Sequence, residues 1–385
     1  MKKILLLSGL FFTIFLSGQQ IKTLLDQGKI DEVLDLISQD ENLTAEDYYY
    51  ASMLYHQKGH SQESMNYIQM ALEKEKTAEY YQFLAFLQNK NGDCWKALES
   101  LNEVYKLEPS NQTLLMKAKV YNYCFKEPNY DKAISTYQKV LKTEANMEAV
   151  QSLSLLYTSQ NRYKQAHSYL EGLLKNQRFT EHKDYIQFIN ATLYFEQKDY
   201  EKAEEQLNEL LIRDPKDFIS IAKLIQIRYA QERSEETETL RKRLYEGYDT
   251  KQLPEFIKDK YQFDQFSVDN YTVKAFEAFA DEKDYKEGDQ VLYKYIFEVY
   301  DDADQFLYTI QAEYSSAIPM YERYNLDYNY YLGKTVYGEK YQHYNYGPQK
   351  INVTTLYPKT KQLVTDIIEE KIKPQKNSKT VVEKF

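Results

Sequence analysis

Small residues recur at one place in this chain every 33 to 37 residues: Ser64, Ala97, Ala133, Ala166 and Ala203. A fixed period of that length marks stacked units, each burying its apolar face only against its neighbours, which is a solenoid. Around each anchor the apolar residues fall three and four apart, as on one face of a helix. Gly and Asn stand between the helices of a unit, where a positive φ costs them little. Such an array offers a long surface for binding and few places for chemistry.

The unit from Ala78 to Asn111 is the clearest. Leu84 and Ala85 lie in its first helix, Asn91-Gly92-Asp93 form the turn, Ala97, Leu101 and Val104 line the second helix, and Glu108-Pro109 close it. The unit before it supplies Tyr48, Ala51, Tyr55, Gly59, Ser64, Ile68 and Ala71. Met147 to Gln177 supplies Ser154, Tyr157, Asn161, Ala166, Leu170 and Leu173. Asp184 to Asp217 supplies Ala191, Tyr194, Ala203, Leu207, Leu210 and Asp214-Pro215. These units resemble the tetratricopeptide repeat family over roughly residues 21–247. The unit from Asn111 to Asn146 departs from the pattern through an enlarged inner turn, Cys124 to Asn129. Ile21 to Asn42 reads as a degenerate N-terminal cap, and Phe218 to Gly247, which lacks the alanine anchor, as a closing helix pair.

The chain opens with Lys2-Lys3, an apolar run from Ile4 to Leu16, and Ser17-Gly18-Gln19. That order predicts a signal peptide over residues 1–19 and export to the periplasm, the outside or the cell surface. The run is shorter than the roughly 20 apolar residues a membrane-spanning helix needs, so no integral membrane protein is expected after cleavage. Losing Lys2 and Lys3 takes the net charge from −10 to about −12. An acidic chain without a basic run is a poor nucleic-acid binder. The two cysteines, Cys94 and Cys124, fall in consecutive units. An oxidising compartment permits a bond between them, but disulfide geometry is demanding, and buried free thiols are the plain expectation.

After Gly247 the helical period stops and alternation by two begins. Phe266 to Phe279 reads as a hairpin around Asp269-Asn270. Val291 to Tyr300 and Phe306 to Tyr314 alternate on either side of the acidic turn Asp301 to Asp304. Further strands are expected around Tyr328 to Tyr337 and Ile351 to Leu356. Thr360 to Ile372 carries Leu363, Val364, Ile367 and Ile368 at helical spacing, and Pro374 stops it. The expected fold is therefore an α-solenoid over 20–247, an α+β domain over 248–373 with an antiparallel sheet and a C-terminal helix, and a mobile tail over 374–385.

Motifs for chemistry are missing. His56 and His60 have the spacing of a zinc pair, but Gly59 lies between them and no glutamate completes the pattern. There is no phosphate-binding glycine loop and no nucleophile elbow. No catalysis, metal or cofactor is expected.

The resemblance implies that first helices line a groove. On this chain those positions are Tyr49, Met53, His56 and Gln57; Gln82, Phe86, Asn89 and Lys90; Leu115, Lys119, Asn122 and Tyr123; Gln151, Leu155, Thr158 and Ser159; and Phe188, Thr192, Phe195 and Glu196. Rings supply contact area and amides hydrogen-bond an extended backbone, so the expected partner is a protein or peptide segment. The family's carboxylate clamp is not expected, because Tyr49 and Met53 stand where its first residues belong. The alternative is a glycan, stacked on tyrosines of the segment Tyr321 to Tyr346, with Tyr328, Tyr330, Tyr337, Tyr341 and Tyr344 as the platform. A third reading places an unknown enzyme in the C-terminal domain, served by the solenoid.

Overall fold

The computed structural model describes residues 30–39, 43–279, 289–317, 323–332, 335–344, 353–371 and 381–384. The expected signal peptide lies outside the described residues. The chain divides into two compact units, Met1–His182 and Lys183–Phe385.

The first unit is built of α-helices joined as pairs: α1 (Ile30–Gln39), α2 (Ala45–Gln57), α3 (Ser61–Lys74), α4 (Ala78–Lys90), α5 (Cys94–Leu107), α6 (Asn111–Lys119), α7 (Tyr130–Thr143), α8 (Met147–Ser159) and α9 (Tyr163–Leu174). First helices start on side-chain caps. Thr44 and Asp47 form a capping box, Thr77 accepts from the Tyr80 amide at 3.1 Å, and Ser110 accepts from Thr113 at 3.2 Å. The inner turns place one residue in the left-handed region at matching positions: Gly59 (φ 81°), Gly92 (φ 79°) and Asn161 (φ 54°). The anchors Ser64, Ala97 and Ala133 are fully buried and Ala166 nearly so, because two helices approach there too closely for a larger side chain. Ser64 is the one anchor with a polar atom, and it is satisfied. Its hydroxyl donates to the Ser52 carbonyl at 2.7 Å, while the Ser52 hydroxyl donates to the Ser64 carbonyl at 2.6 Å.

The enlarged turn is set up by a π-helical stretch, Val120–Cys124, that ends α6. The Asn129 amide donates to the Tyr121 carbonyl at 2.8 Å and closes it. Cys94 and Cys124 form a disulfide with their Cα atoms 5.6 Å apart, which ties the start of α5 to the end of that stretch.

Among the described residues the second unit shows four α-helices, then a sheet and one more α-helix. The helices are α10 (Lys183–Glu196), α11 (Tyr200–Arg213), α12 (Phe218–Ala230) and α13 (Glu238–Asp249). Strands β1 (Lys260–Val268), β2 (Tyr271–Ala278), β3 (Asp289–Tyr300), β4 (Phe306–Ala317), β5 (Arg323–Leu332) and β6 (Thr335–Tyr344) run antiparallel in sequence order. The helix α14 (Val353–Ile368) follows, and β7 (Val381–Lys384) adds to β6 in parallel. Both expected hairpins are present, turning at Asp269 and through Asp301–Asp304, with Asp269 and Asp304 in the left-handed region.

Three expectations about this unit change. The segment Tyr328 to Tyr337 falls on two strands, the end of β5 and the start of β6, which pair Leu332 with Thr335. Val353 to Leu356 is the start of α14 and not a strand. Its β-branched residues favour a strand locally, but the helix carries Tyr357, Val364 and Ile367 into the core, and packing overrides propensity. The tail contributes β7, whose Val381-Val382 pair suits an edge strand.

One core joins helices to sheet. Phe218, Ile221 and Ile225 of α12 and Leu244 of α13 cluster with Tyr261 and Phe263 of β1, Val273 of β2, Phe297 of β3, Ile310 of β4 and Tyr357 of α14. The change of period at Gly247 is thus a change of secondary structure with no gap in packing. Polar contacts fix the seam. Arg241 of α13 pairs with Glu277 of β2 through Nε at 2.9 Å, and Glu277 also accepts from the hydroxyls of Tyr245 at 2.8 Å and Tyr261 at 2.5 Å. A buried carboxylate with this many donors is compensated, and removing Arg241 or Glu277 leaves the other charge stranded.

Candidate functional site

Residues on successive first helices meet one another directly. In the first unit, Tyr49 of α2 lies 4.9 Å from the Tyr80 ring and 5.6 Å from Phe83 of α4. His56, two turns further along α2, stands edge-on to Phe86 at 5.1 Å and to Phe83 at 6.2 Å. Phe83 and Phe86 stack at 5.9 Å, and the Lys90 ammonium sits 6.0 Å from the Phe86 centroid. Phe86 nevertheless remains 43% exposed, so this aromatic set has an open side. Gln57, Gln82, Asn89 and Lys90 are exposed beside it, a polar margin around an apolar patch.

The environment tunes two of these groups. Burial, then the Glu79 carboxylate that its hydroxyl hydrogen-bonds, raises the Tyr49 phenol to about 12. Burial and the Lys90 charge lower His56, keeping the imidazole neutral to lower pH than usual. Lys90 at one end of this surface and the Glu79 carboxylate at the other are the charged groups beside the rings.

The pattern changes at α6. Lys119 is exposed and pairs with Glu148 of α8 at 2.5 Å, and Tyr123 is 70% exposed. Leu115 and Asn122 are buried, in contrast to the expectation that they line the groove. They share an i, i+3, i+7 stripe with Ala118 that faces the helix packing, while Lys119 and Tyr123 lie on the neighbouring stripe. On α8, Gln151 and Leu155 are exposed, Leu155 at 58%. Thr158 and Ser159 spend their hydroxyls on the carbonyls of Ser154 (2.9 Å) and Leu156 (3.0 Å).

In the second unit, Phe188, Thr192 and Phe195 are half-buried on α10 and Glu196 is exposed. The Thr192 hydroxyl is turned to the Phe188 carbonyl at 3.0 Å. Phe195 meets Lys223 of α12, whose Nζ is 4.7 Å from the ring centroid, as well as Tyr200 at 5.7 Å. Lys223 and Phe83 were absent from the sequence-derived set. Phe83 was recoverable, since it lies one helical step before Phe86. Lys223 stands five residues after the start of its helix, as Phe188 does, but the closing pair has no alanine anchor to extend the register.

The tyrosines proposed as a glycan platform fall on β5 and β6. Tyr330 is opposite Tyr337, Tyr328 opposite Glu339, Tyr341 opposite Leu326 and Tyr344 opposite Arg323. Tyr321 and Tyr346 lie outside the described residues. Among the described residues no group of three or more His, Cys, Asp or Glu side chains could hold a metal ion. No helix among them is long and apolar enough to cross a membrane.

No family model matches the sequence, and no curated relative matches it. Solved structures do resemble it in part. The C-terminal part of a tetratricopeptide repeat-containing protein from Cytophaga hutchinsonii is 13% identical, with a TM-score of 0.46, over 60% of this chain and 94% of that one. A tetratricopeptide repeat protein from Parabacteroides merdae is 18% identical, with a TM-score of 0.37, over 55% of this chain and 80% of that one. YrrB, described as a tetratricopeptide protein with an unusual peptide-binding site, is 18% identical, with a TM-score of 0.31, over 46% and 91%. The likeness concerns fold alone. The helix pairs are tetratricopeptide-like, as their spacing, left-handed turns and buried small anchors already require.

Proposed function

We propose that the protein is an exported, non-catalytic adaptor whose first helices hold an extended segment of a partner protein. The observation that carries this reading is the aromatic set of Tyr49, His56, Phe83 and Phe86, assembled across two first helices and left open at Phe86. Rings already held by their neighbours lose little freedom on binding, and aromatic anchors dominate binding energy at interfaces. Amides and Lys90 around them supply donors and acceptors for a peptide backbone. Export is supported by the sequence of residues 1–19 and by the Cys94–Cys124 bond, since disulfides persist in oxidising compartments.

The test is capture from an envelope extract by the full chain and by a variant carrying Phe86→Ser, Tyr123→Ser and Phe188→Ser. The full chain is needed because a fragment ending at Gly247 strips the sheet from Phe218, Ile221 and Ile225. Partners held by the native chain and lost from a folded variant support the proposal. Equal retention by both excludes this surface.

A further inference from the structure

The loop that joins α13 to β1 is held at both ends. The Lys251 amide donates to the Tyr248 carbonyl at 2.9 Å and the Gln252 amide to the Gly247 carbonyl at 2.8 Å, which caps α13. Ile257 is buried in the core, and the Phe279 amide donates to the Asp259 carbonyl at 3.1 Å, which ties the far end to β2. Either side of the buried Ile257, the loop leaves Phe256 68% exposed and Asp259 exposed. Both line a cavity of about 380 Å³ that opens between α13, this loop and strands β1 to β3. That is the size of a small-molecule site. None of its lining residues belongs to a first helix, so it is separate from the groove.

One side of the cavity is aromatic and already fixed. Tyr248 and Phe279 stack at 4.8 Å with 11° between their planes, and Phe279 also packs against Tyr245 at 5.2 Å and Tyr261 at 5.7 Å. Ala278 of β2 and Ile296 of β3 extend the apolar lining. Three charged residues complete it, Glu255, Asp259 and Lys260, and two of them are spent elsewhere. The Lys260 ammonium reaches Glu298 at 2.5 Å and lies 4.3 Å from the Phe276 centroid. Glu255 pairs with Lys258 at 2.5 Å. The Asp259 carboxylate makes no hydrogen bond or ion pair among the described residues; Lys258 feels its charge but gives its contact to Glu255. The lining therefore keeps one negative charge over, beside rings.

We propose that this cavity binds a small organic cation, an ammonium group carried on an apolar or aromatic body. The ammonium takes Asp259 as its counter-ion and lies against the rings, whose quadrupoles attract cations. The body lies along Tyr248, Phe279 and Ile296, with Phe256 at the margin. A neutral ligand of the same shape meets the rings and leaves Asp259 unanswered. An anion meets like charge at Asp259 and Glu255, while the one lining cation, Lys260, is already held by Glu298. The stacked rings and the tied loop stand in place without a ligand, so binding costs little reorganisation. The site does not depend on the groove reading, and an amine here leaves the first helices free for a partner segment.

Three probes of one shape decide this: phenethylammonium, 2-phenylethanol and phenylacetate, titrated against the full chain at pH 7 by saturation-transfer NMR. Phenethylammonium is expected to bind about tenfold more tightly than the alcohol, the sum of an exposed ion pair and a cation–ring contact, and phenylacetate more weakly than either. Equal binding of amine and alcohol, tighter binding of phenylacetate, or no saturation transfer to any probe overturns the proposal on the native chain alone. Two variants then place the site, both at exposed positions where the fold is not at stake. Asp259→Asn is expected to cut the preference for the amine over the alcohol to about threefold, the share left to the rings. Phe256→Ser is expected to weaken both probes together. An amine preference unchanged by Asp259→Asn, or affinities for both probes unchanged by Phe256→Ser, shows that the amine binds elsewhere and overturns the assignment of this cavity.

Discussion

Lys223 carries a stability cost whose sign can be worked out. Its amine titrates near 8 in the fold against an ordinary 10.5, so the unfolded chain holds the proton more tightly. The penalty is complete below pH about 8, shrinks as pH rises from about 8 to 10.5, and is gone above that. Lys223→Met is therefore predicted to stabilise the second unit by about 1–3 kcal/mol near pH 7, with the gain fading towards pH 10.5. Urea unfolding of both chains across that range checks it, and a destabilised variant at pH 7 would contradict the account. The same scale shows what a sequence discloses. Phe86, Tyr123 and Leu155, which the family resemblance puts on the groove side of first helices, are exposed. Leu115 and Asn122 are buried instead: adjacent faces of a helix differ by a single residue step, and Asn122 stands in the π-helical stretch that shifts the register. Lys223 could not be singled out, since the closing helix pair has no alanine anchor to extend the register and its burial appears only in the fold.

Among the elements, the π-helical end of α6 and its disulfide form the least regular part of the repeats. Three extra residues in the inner turn were legible from spacing, whereas the π turn and the bond depended on how the two cysteines approach in space. The bond closes a loop with a sequence separation of 30, which in the chain-entropy account contributes about 3–4 kcal/mol. Trp95, the only tryptophan, follows Cys94, and Phe125 follows Cys124, and the two rings meet edge to face at 4.9 Å. Reduction with a dithiol is predicted to lower the thermal midpoint of the first unit and to change Trp95 emission below that midpoint. An unchanged midpoint after complete reduction would show that helix packing alone holds the turn. In the sheet, alternation located β1 to β4, and acidic turn residues marked the hairpins. The start of α14 escaped the same reading because Val353, Thr354 and Thr355 favour extended backbone, whereas in the fold Tyr357 meets Asp264, whose carboxylate accepts from its hydroxyl.

For the whole molecule, repeat period defined the helix pairs, yet the partition of the core did not follow it. Residues 183–385 form one compact unit because α12 and α13 bury one side against the sheet. A solenoid ended in this way needs no polar terminal repeat, since the sheet covers the last apolar face. The central claim is that partners bind along the first helices. It is tested most directly by placing a photo-crosslinking phenylalanine analogue, one site at a time, at Phe86, Leu155 and Phe188, and at Ile212, which is 79% exposed on the second helix α11. The account predicts partner adducts at the first-helix positions and none at Ile212. Adducts at Ile212 alone, or equal yields at all four sites, would contradict it.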